Sequence, residues 1–149
     1  MATDTAARWT PAWLMLLRTH ARLWDQLEAQ MRRENGITMA RYDVLMQLDM
    51  AGGRLGLSEL ASRIVLSPSG LSKLLDRMAA AELVRREPDP RDPRSTFARI
   101  TRRGRSLVRK ARKNHHAWLQ RAFGEALDDR DVSDLIRIME RIDSHTPIA

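Results

Sequence analysis

Apolar residues recur at helical spacing along most of this chain. From about Thr10 to Arg33, Trp13, Leu16, Leu17, His20, Trp24, Leu27 and Met31 hold one face over more than four turns, which predicts a long helix ended by Asn35-Gly36. That face is too long for one small domain to cover, so it packs either on other long helices of the chain or on a second copy. Thr38 suits the N-cap of a second helix, about Met39 to Met50, with Val44, Leu45 and Leu48 inward; Gly52-Gly53 breaks it. Arg54–Leu57 reads as a short strand. Ser58 is the expected cap of a short helix to about Ile64, with Leu60, Ala61 and Ile64 buried. Val65-Leu66 is a tight connection into the next helix. There, from Ser67 to Ala80, Leu71, Leu74, Leu75 and Met78 form an i, i+3, i+4, i+7 stripe, and Ser69, Ser72, Lys73, Asp76 and Arg77 lie opposite. Ser67 and Pro68 mark its start as cap and first helical residue.

After Ala80 the period changes. Leu83-Val84-Arg85-Arg86 reads as a strand, and Ser95 to Ile100 as its partner, with Phe97 and Arg99 alternating against Ala98 and Ile100. The three prolines between Glu87 and Arg94 predict a protruding loop, because proline cannot donate to a strand ladder. Thr101 caps a long helix to about Phe123, with Leu107, Ala111, Trp118 and Ala122 on its apolar face. Gly124–Asp128 breaks it, and Asp129 to about Ser144 forms the last helix on Val132, Leu135, Met139 and Ile142. Two short helices joined by a turn and followed by a hairpin have the arrangement of a helix-turn-helix with a wing.

Charge directs this pattern toward a partner. The 149 residues carry a formal net charge of +7, which favours a polyanion, nucleic acid ahead of an anionic membrane surface. Short serine donors at the start of the Ser67–Ala80 helix, with Lys73 and Arg77 beyond them, suit base edges and phosphates. Arg91 and Arg94 at the hairpin tip suit a narrow minor groove. Arg102, Arg103, Arg105, Arg109, Lys110, Arg112 and Lys113 crowd the next helix, whose first turn disfavours cations by some tenths of a kcal/mol each. That cost makes Arg102 and Arg103 candidate phosphate contacts, while others of the set are available to pair with acids.

Several functions are excluded. There is no cysteine, so disulfides, thiolate catalysis and cysteine-ligated zinc are ruled out. His115 and His116 are adjacent and cannot share a helix face; His20 and His145 are isolated; no metalloprotease, phosphate-loop or serine-elbow motif occurs. Neither catalysis, a metal nor a cofactor is expected. With no membrane-length apolar run and no secretory pattern, the expected location is cytoplasmic.

The segment from Leu57 to Gly104 resembles the MarR family of multiple antibiotic resistance regulators. The likeness lies in Leu-Ser-Glu-Leu-Ala (57–61), Leu-Ser-Pro-Ser-Gly-Leu-Ser (66–72), Leu-Leu-Asp-Arg-Met (74–78), Leu-Val-Arg-Arg (83–86), Asp-Pro-Arg-Asp-Pro-Arg-Ser (89–95) and Ile-Thr-Arg-Arg-Gly (100–104). The resemblance implies a mainly α fold with a small β-hairpin wing, a winged helix-turn-helix with long N- and C-terminal dimerisation helices. Residues 1–36 and 101–149 would then form the dimerisation region and residues 37–100 the DNA-binding region. It also implies a homodimer on a palindromic operator in double-stranded DNA, more often repressing than activating. Ser67, Ser69, Ser72 and Lys73 match the family's recognition-helix contact positions; Asp92 would brace the wing and Arg94 would touch DNA. Many members release DNA when a small aromatic anion fills a crevice between the two regions, for which Trp13, His20, Trp24, Tyr42 and Met46 are the candidate lining here. A ligand-independent or activating regulator, and a nonspecific basic DNA-binding protein, are the alternatives. One position departs from the family pattern: Glu82 stands where glycine is usual before the Leu-Val strand, at a cost on the order of 1 kcal/mol if its backbone is left-handed.

Overall fold

In the computed structural model, which describes residues 5–64, 66–90 and 92–145 (backbone alone at 5, 6, 93 and 94), the predicted helical periods become six α-helices, accompanied by a small sheet. They are α1 (Thr5–Asn35), α2 (Met39–Met50), α3 (Leu57–Arg63), α4 (Pro68–Ala80), α5 (Arg102–Leu119) and α6 (Asp129–His145). The strands are β1 (Arg54–Gly56), β2 (Val84–Asp89) and β3 (Asp92–Ile100), antiparallel in the order β1-β3-β2. The predicted connection Val65-Leu66 falls partly outside the description, at Val65. The chain divides into two compact units, one up to Asn114 and one from His115 onward.

In the first unit α2 packs against α1, α3, β1 and β3, which is why Met39, Tyr42, Val44, Leu45 and Leu48 are all buried. Leu60, the α4 stripe, Val84, Ala98 and Val108 complete this core. Three predicted caps are present. Thr38 Oγ1 accepts from Arg41 N at 3.2 Å, Ser67 Oγ from Gly70 N at 3.1 Å, and Thr101 Oγ1 from Gly104 N at 3.0 Å. Each satisfies one orphan N–H of its helix.

The structure differs from the sequence expectations in five places. α1 begins at Thr5 and carries Pro11 within it, and of its apolar face only Leu27 and Met31 are buried; Trp13, Leu17 and Trp24 are 58%, 45% and 47% exposed. α3 begins at Leu57, so Ser58 is inside the helix and not its cap; the chain turns out of β1 at Gly56, in extended conformation and without a side-chain cap bond. Glu87–Arg94 is not a protruding loop, since β2 runs to Asp89 and β3 resumes at Asp92. Pro88 is tolerated because β2 is an edge strand, where a missing N–H breaks no second ladder. In α5, Val108 and not Leu107 is the fully buried residue. Finally, α5 stops at Leu119 and a π-helical turn, Gln120–Gly124, follows.

The second unit contains that π-helical turn, in which Phe123 meets the Trp118 ring edge-on at 6.4 Å, and α6. Asp128 caps α6, its Oδ1 accepting from Arg130 N and Asp131 N at 2.8 and 2.9 Å. Val132, Leu135, Ile136, Met139 and Ile142 form a row along α6, each more than a third exposed. Among the described residues, no helix is long and apolar enough to cross a membrane.

The end of α4 ties this architecture together. Glu82 N donates to Ala79 O and Leu83 N to Met78 O, both at 2.9 Å, the paired bonds of a Schellman motif. The motif needs a left-handed residue, and Glu82 supplies it with φ of 58°. Leu83 then presents its carbonyl to Thr101 N, which donates to it at 3.1 Å, while the single Thr101 hydroxyl proton is shared between Glu82 O at 2.7 Å and Leu83 O at 3.1 Å. Gly104 packs on the same carbonyl: a Cβ added there would collide with Leu83 O, with Ile100 Cγ1 at 2.9 Å and Leu45 Cδ2 at 3.2 Å on either side. Because the obstacle is backbone, Gly104→Ala is expected to destabilise the fold by about 1–3 kcal/mol. Urea unfolding at fixed protein concentration measures it, and an unchanged midpoint would mean that this junction is not tightly packed.

Candidate nucleic-acid interface

The surface of α4 follows from what lies beneath it. Burying Leu71, Leu74, Leu75 and Met78 fixes the helix rotation, so Ser69, Lys73, Asp76 and Arg77 face solvent and Ser72 is half-buried at the margin. Ser67 and Ser69 hydroxyls lie 3.3 Å apart at the N-terminal end. The predicted Ser67, Ser69, Ser72, Lys73 and Arg77 therefore do share one helix, with small donors at its start and cations further along.

The wing is fastened to this helix by Arg86. In the sheet, Leu55 is paired with Ala98 and Arg86 with Ala98, so all three lie on the face turned toward the helices. An arginine on that face reaches across to α4. Its Nη2 donates to Ser72 O and Ser72 Oγ, both at 3.0 Å, and lies 2.9 Å from Asp76 Oδ1. Ser72 Oγ is thereby used as an acceptor, which leaves its own proton free to be donated outward. On the opposite face of the sheet, Arg99 pairs with Glu87 at 2.7 Å and the Arg54 guanidinium stacks over Phe97 at 4.2 Å.

At the hairpin tip, Asp92 is exposed and paired in register with Asp89. Arg91 lies outside the described residues, as does the side chain of Arg94, whose backbone belongs to β3. Arg102 and Arg103 are exposed, but at the other end of α4: with Ala79, Glu82 and Arg85 they line a shallow recess, and Arg103 Nη1 reaches Glu82 Oε2 at 3.4 Å. About 20 Å of helix separates them from Ser67. Two further cations of α5 are engaged within the fold, Arg105 and Arg112 pairing with Asp49 at 3.7 and 2.9 Å.

The five candidate ligand residues are not gathered around one space. Trp24 lines a crevice of about 670 Å³ with Glu28, Arg41, Leu74 and Arg77, and His20 stacks on Trp24 at 6.1 Å. Trp13 is exposed on α1, and Met46 is half-buried on α2. Tyr42 is 1% exposed within the core. Burial pushes its hydroxyl above the ordinary phenol range, against the downward pull of Arg112. Burial likewise pushes the Asp43 carboxyl up, opposed by a hydrogen bond with Gln47. Glu28 is already committed: its carboxylate accepts from Met39 N at 2.6 Å, at the start of α2, and from Arg32 Nε at 2.7 Å.

Arg86, Arg41 and Glu28 were not singled out from the sequence. Arg86 meets Ser72 from 14 residues away, and no helical or strand period announces a pair of that kind. A sheet-register argument finds it only once β2 is aligned on β3.

Comparison with known proteins agrees with this geometry. The MarR family profile matches residues 35–95. The fold superposes on the crystal structure of AbsC, a MarR family transcriptional regulator from Streptomyces coelicolor, with a TM-score of 0.87 and 34% identity over 97% of this chain and 96% of that one. Sco3205, a MarR family regulator from the same organism solved in complex with DNA, gives a TM-score of 0.90 and 26% identity over 96% of this chain and 90% of its own. Among curated relatives, the HTH-type transcriptional repressor IacR of Pseudomonas putida is 28% identical over 125 residues, 84% of this chain and 73% of its own length.

Proposed function

Because this chain belongs to the MarR family of winged helix-turn-helix transcription regulators, we propose that it acts as a homodimeric repressor on a palindromic operator and is released by a small aromatic or phenolic ligand. One observation carries the DNA-binding part: α4 is capped by Ser67, held to the wing by Arg86, and carries Ser69, Lys73 and Arg77 on its free face. In this reading Ser69 and Ser72 donate to base edges in the major groove, and Lys73 and Arg77 neutralise phosphates or meet guanine. Arg91 and Arg94 enter the flanking minor groove, with Asp92 bracing the wing.

The dimer is supported by apolar surface that each unit leaves open. On α1 this is Trp13, Leu17 and Trp24; on α6 it is the row from Val132 to Ile142. Rows of that extent on a soluble protein mark an association surface, and two-fold pairing sets the spacing of two recognition helices on one operator. The effector is supported by the 670 Å³ crevice, where Trp24 offers a ring face, Arg41 a cation, and Arg77 a cation shared with the DNA-reading helix.

Selection of bound duplexes from a random pool is the decisive experiment, read together with native mass. The expected product is two inverted half-sites whose centres lie one helical turn of DNA apart, about 10 base pairs, bound by a dimer. A stable monomer, or equal retention of every sequence at physiological salt, would overturn the proposal. On the selected DNA, Arg86→Met is expected to lower affinity about tenfold, because Ser72 loses its fixed orientation. The dependence of binding on salt should stay unchanged, since Arg86 touches no phosphate in this reading. A shallower salt slope would make it a phosphate contact instead. Finally, a panel of phenolic acids and lipophilic drugs should include compounds that release the operator, and no release across the panel would favour the ligand-independent alternative.

A further inference from the structure

On the outer face of the sheet, the strand register sets arginines side by side. Arg54 of β1 is paired with Arg99 of β3, and Arg99 in turn with Arg85 of β2, so three guanidinium side chains stand in one row across the three strands. Neighbouring strands lie about 4.8 Å apart, and like charges directly opposite destabilise a sheet. Arg99 is neutralised by Glu87 of the next row, at 2.7 Å. Arg54 lies over the Phe97 ring at 4.2 Å, which orients its guanidinium without removing the charge. Arg54 and Arg85 are exposed and have no ion-pair partner among the described residues. Exposed Arg102 continues the charge past the edge of β2, across the recess it shares with Arg85. An anionic partner relieves the repulsion that this row builds into the sheet.

Which anion it meets follows from the direction the face looks. Ala98 and Ile100 are buried and Arg86 reaches α4 from the inner face, so the outer face is turned away from α4. With α4 in a half-site and the wing tip in the flanking minor groove, that is the side on which the duplex leaves the operator. We propose that the outer face of the wing binds the phosphate backbone of this flanking DNA through Arg54 and Arg85 and bends it toward the sheet. The bend is required, because Arg85 stands four residues, about 13 Å of strand, behind Asp89 at the tip. An acidic protein surface matches the charge equally; the flanking duplex is favoured because the tip itself delivers it to this face. The proposal rests on the regulator reading above and adds a contact outside the half-sites. Sequence preference there arises from flexible base steps and not from base contacts.

The test compares two duplexes built on the selected operator: one ending at the outer edge of the wing contacts, and one extended by about one helical turn on each side. Affinities are measured on the full chain over a series of salt concentrations. The wild type should bind the extended duplex about tenfold more tightly, with a salt slope steeper by about two to four. Arg54→Gln and Arg85→Gln should each remove much of that advantage, and the double variant all of it, while affinity for the short duplex stays within about twofold. Glu87→Gln, which frees Arg99, should strengthen binding a few-fold on the extended duplex alone. Energy transfer between dyes at the two ends of the extended duplex should report a shortening with the wild type that the double variant abolishes. Unchanged melting temperatures establish that the variants fold. Equal wild-type affinity for the two duplexes, or equal losses on both in Arg85→Gln, would overturn the flank contact and leave the regulator reading intact. Retention of a separate operator-free duplex, or of poly-glutamate, by the short complex through Arg54 and Arg85 would give the face to another partner and overturn it equally. The regulator reading itself fails only if the short duplex is bound no better than unrelated DNA.

Discussion

Everything the surface of this protein offers depends on the burial of four side chains of α4. Leu71, Leu74, Leu75 and Met78 are withdrawn from solvent, at about 1.5–3 kcal/mol for each full burial. That energy is large against the few tenths that distinguish one exposed polar residue from another, so the apolar stripe alone sets the rotation of the helix. Once it is set, Ser69, Lys73 and Arg77 have no choice of side. The same stripe makes the helix tolerant of whatever its outer face must contact, because the outer face contributes little to holding it in place.

The positive charge of the chain divides into a structural and an available portion. Arg105 and Arg112 share Asp49, Arg99 is taken by Glu87, and Arg32 by Glu28. These pairs are partly exposed and each adds little to stability. Their effect is rather to remove cations from the pool that attracts a polyanion. On α4, Lys73 and Arg77 are exposed on the free side of the helix and have no ion-pair partner among the described residues. A dense run of cations in α5 thus signals a nucleic-acid surface less directly than its composition suggests, since two of them, Arg105 and Arg112, turn back to Asp49.

Features written in local spacing were legible in the sequence. Thr38, Ser67 and Thr101 each cap a helix through an N–H three residues on, and the four-residue stripe of α4 needs only its own period. Glu82 was legible as a departure from a family pattern, and its φ of 58° shows that it bears the left-handed geometry itself. Other features depend on partners distant in the chain. Pro88 reads as a loop residue until the sheet order makes β2 an edge. Trp13, Leu17 and Trp24 have a helical period that identifies a face without saying what covers it, and among the described residues nothing buries it. The Arg86 contacts and the Trp24 crevice exist only in three dimensions, where β2 crosses α4 and where α2 meets the end of α1.

The relation between α4 and the wing is held at two points with different chemistry. Near the middle of α4, one guanidinium nitrogen of Arg86 spans Ser72 O, Ser72 Oγ and Asp76; these contacts lie at the surface, open to water and to competition. At its end, the Leu83 carbonyl is clasped by Thr101 and covered by Gly104, a backbone contact with no slack. A hairpin fixed rigidly at its base and loosely along its length pivots about the base. A displacement of the tip relative to α4 would have to break the Arg86 contacts, and Ser72, which shares that tie, would lose its hydrogen bond with them. In the proposed reading, helix and wing therefore meet DNA together, since Ser72, which links them, is also a proposed base contact.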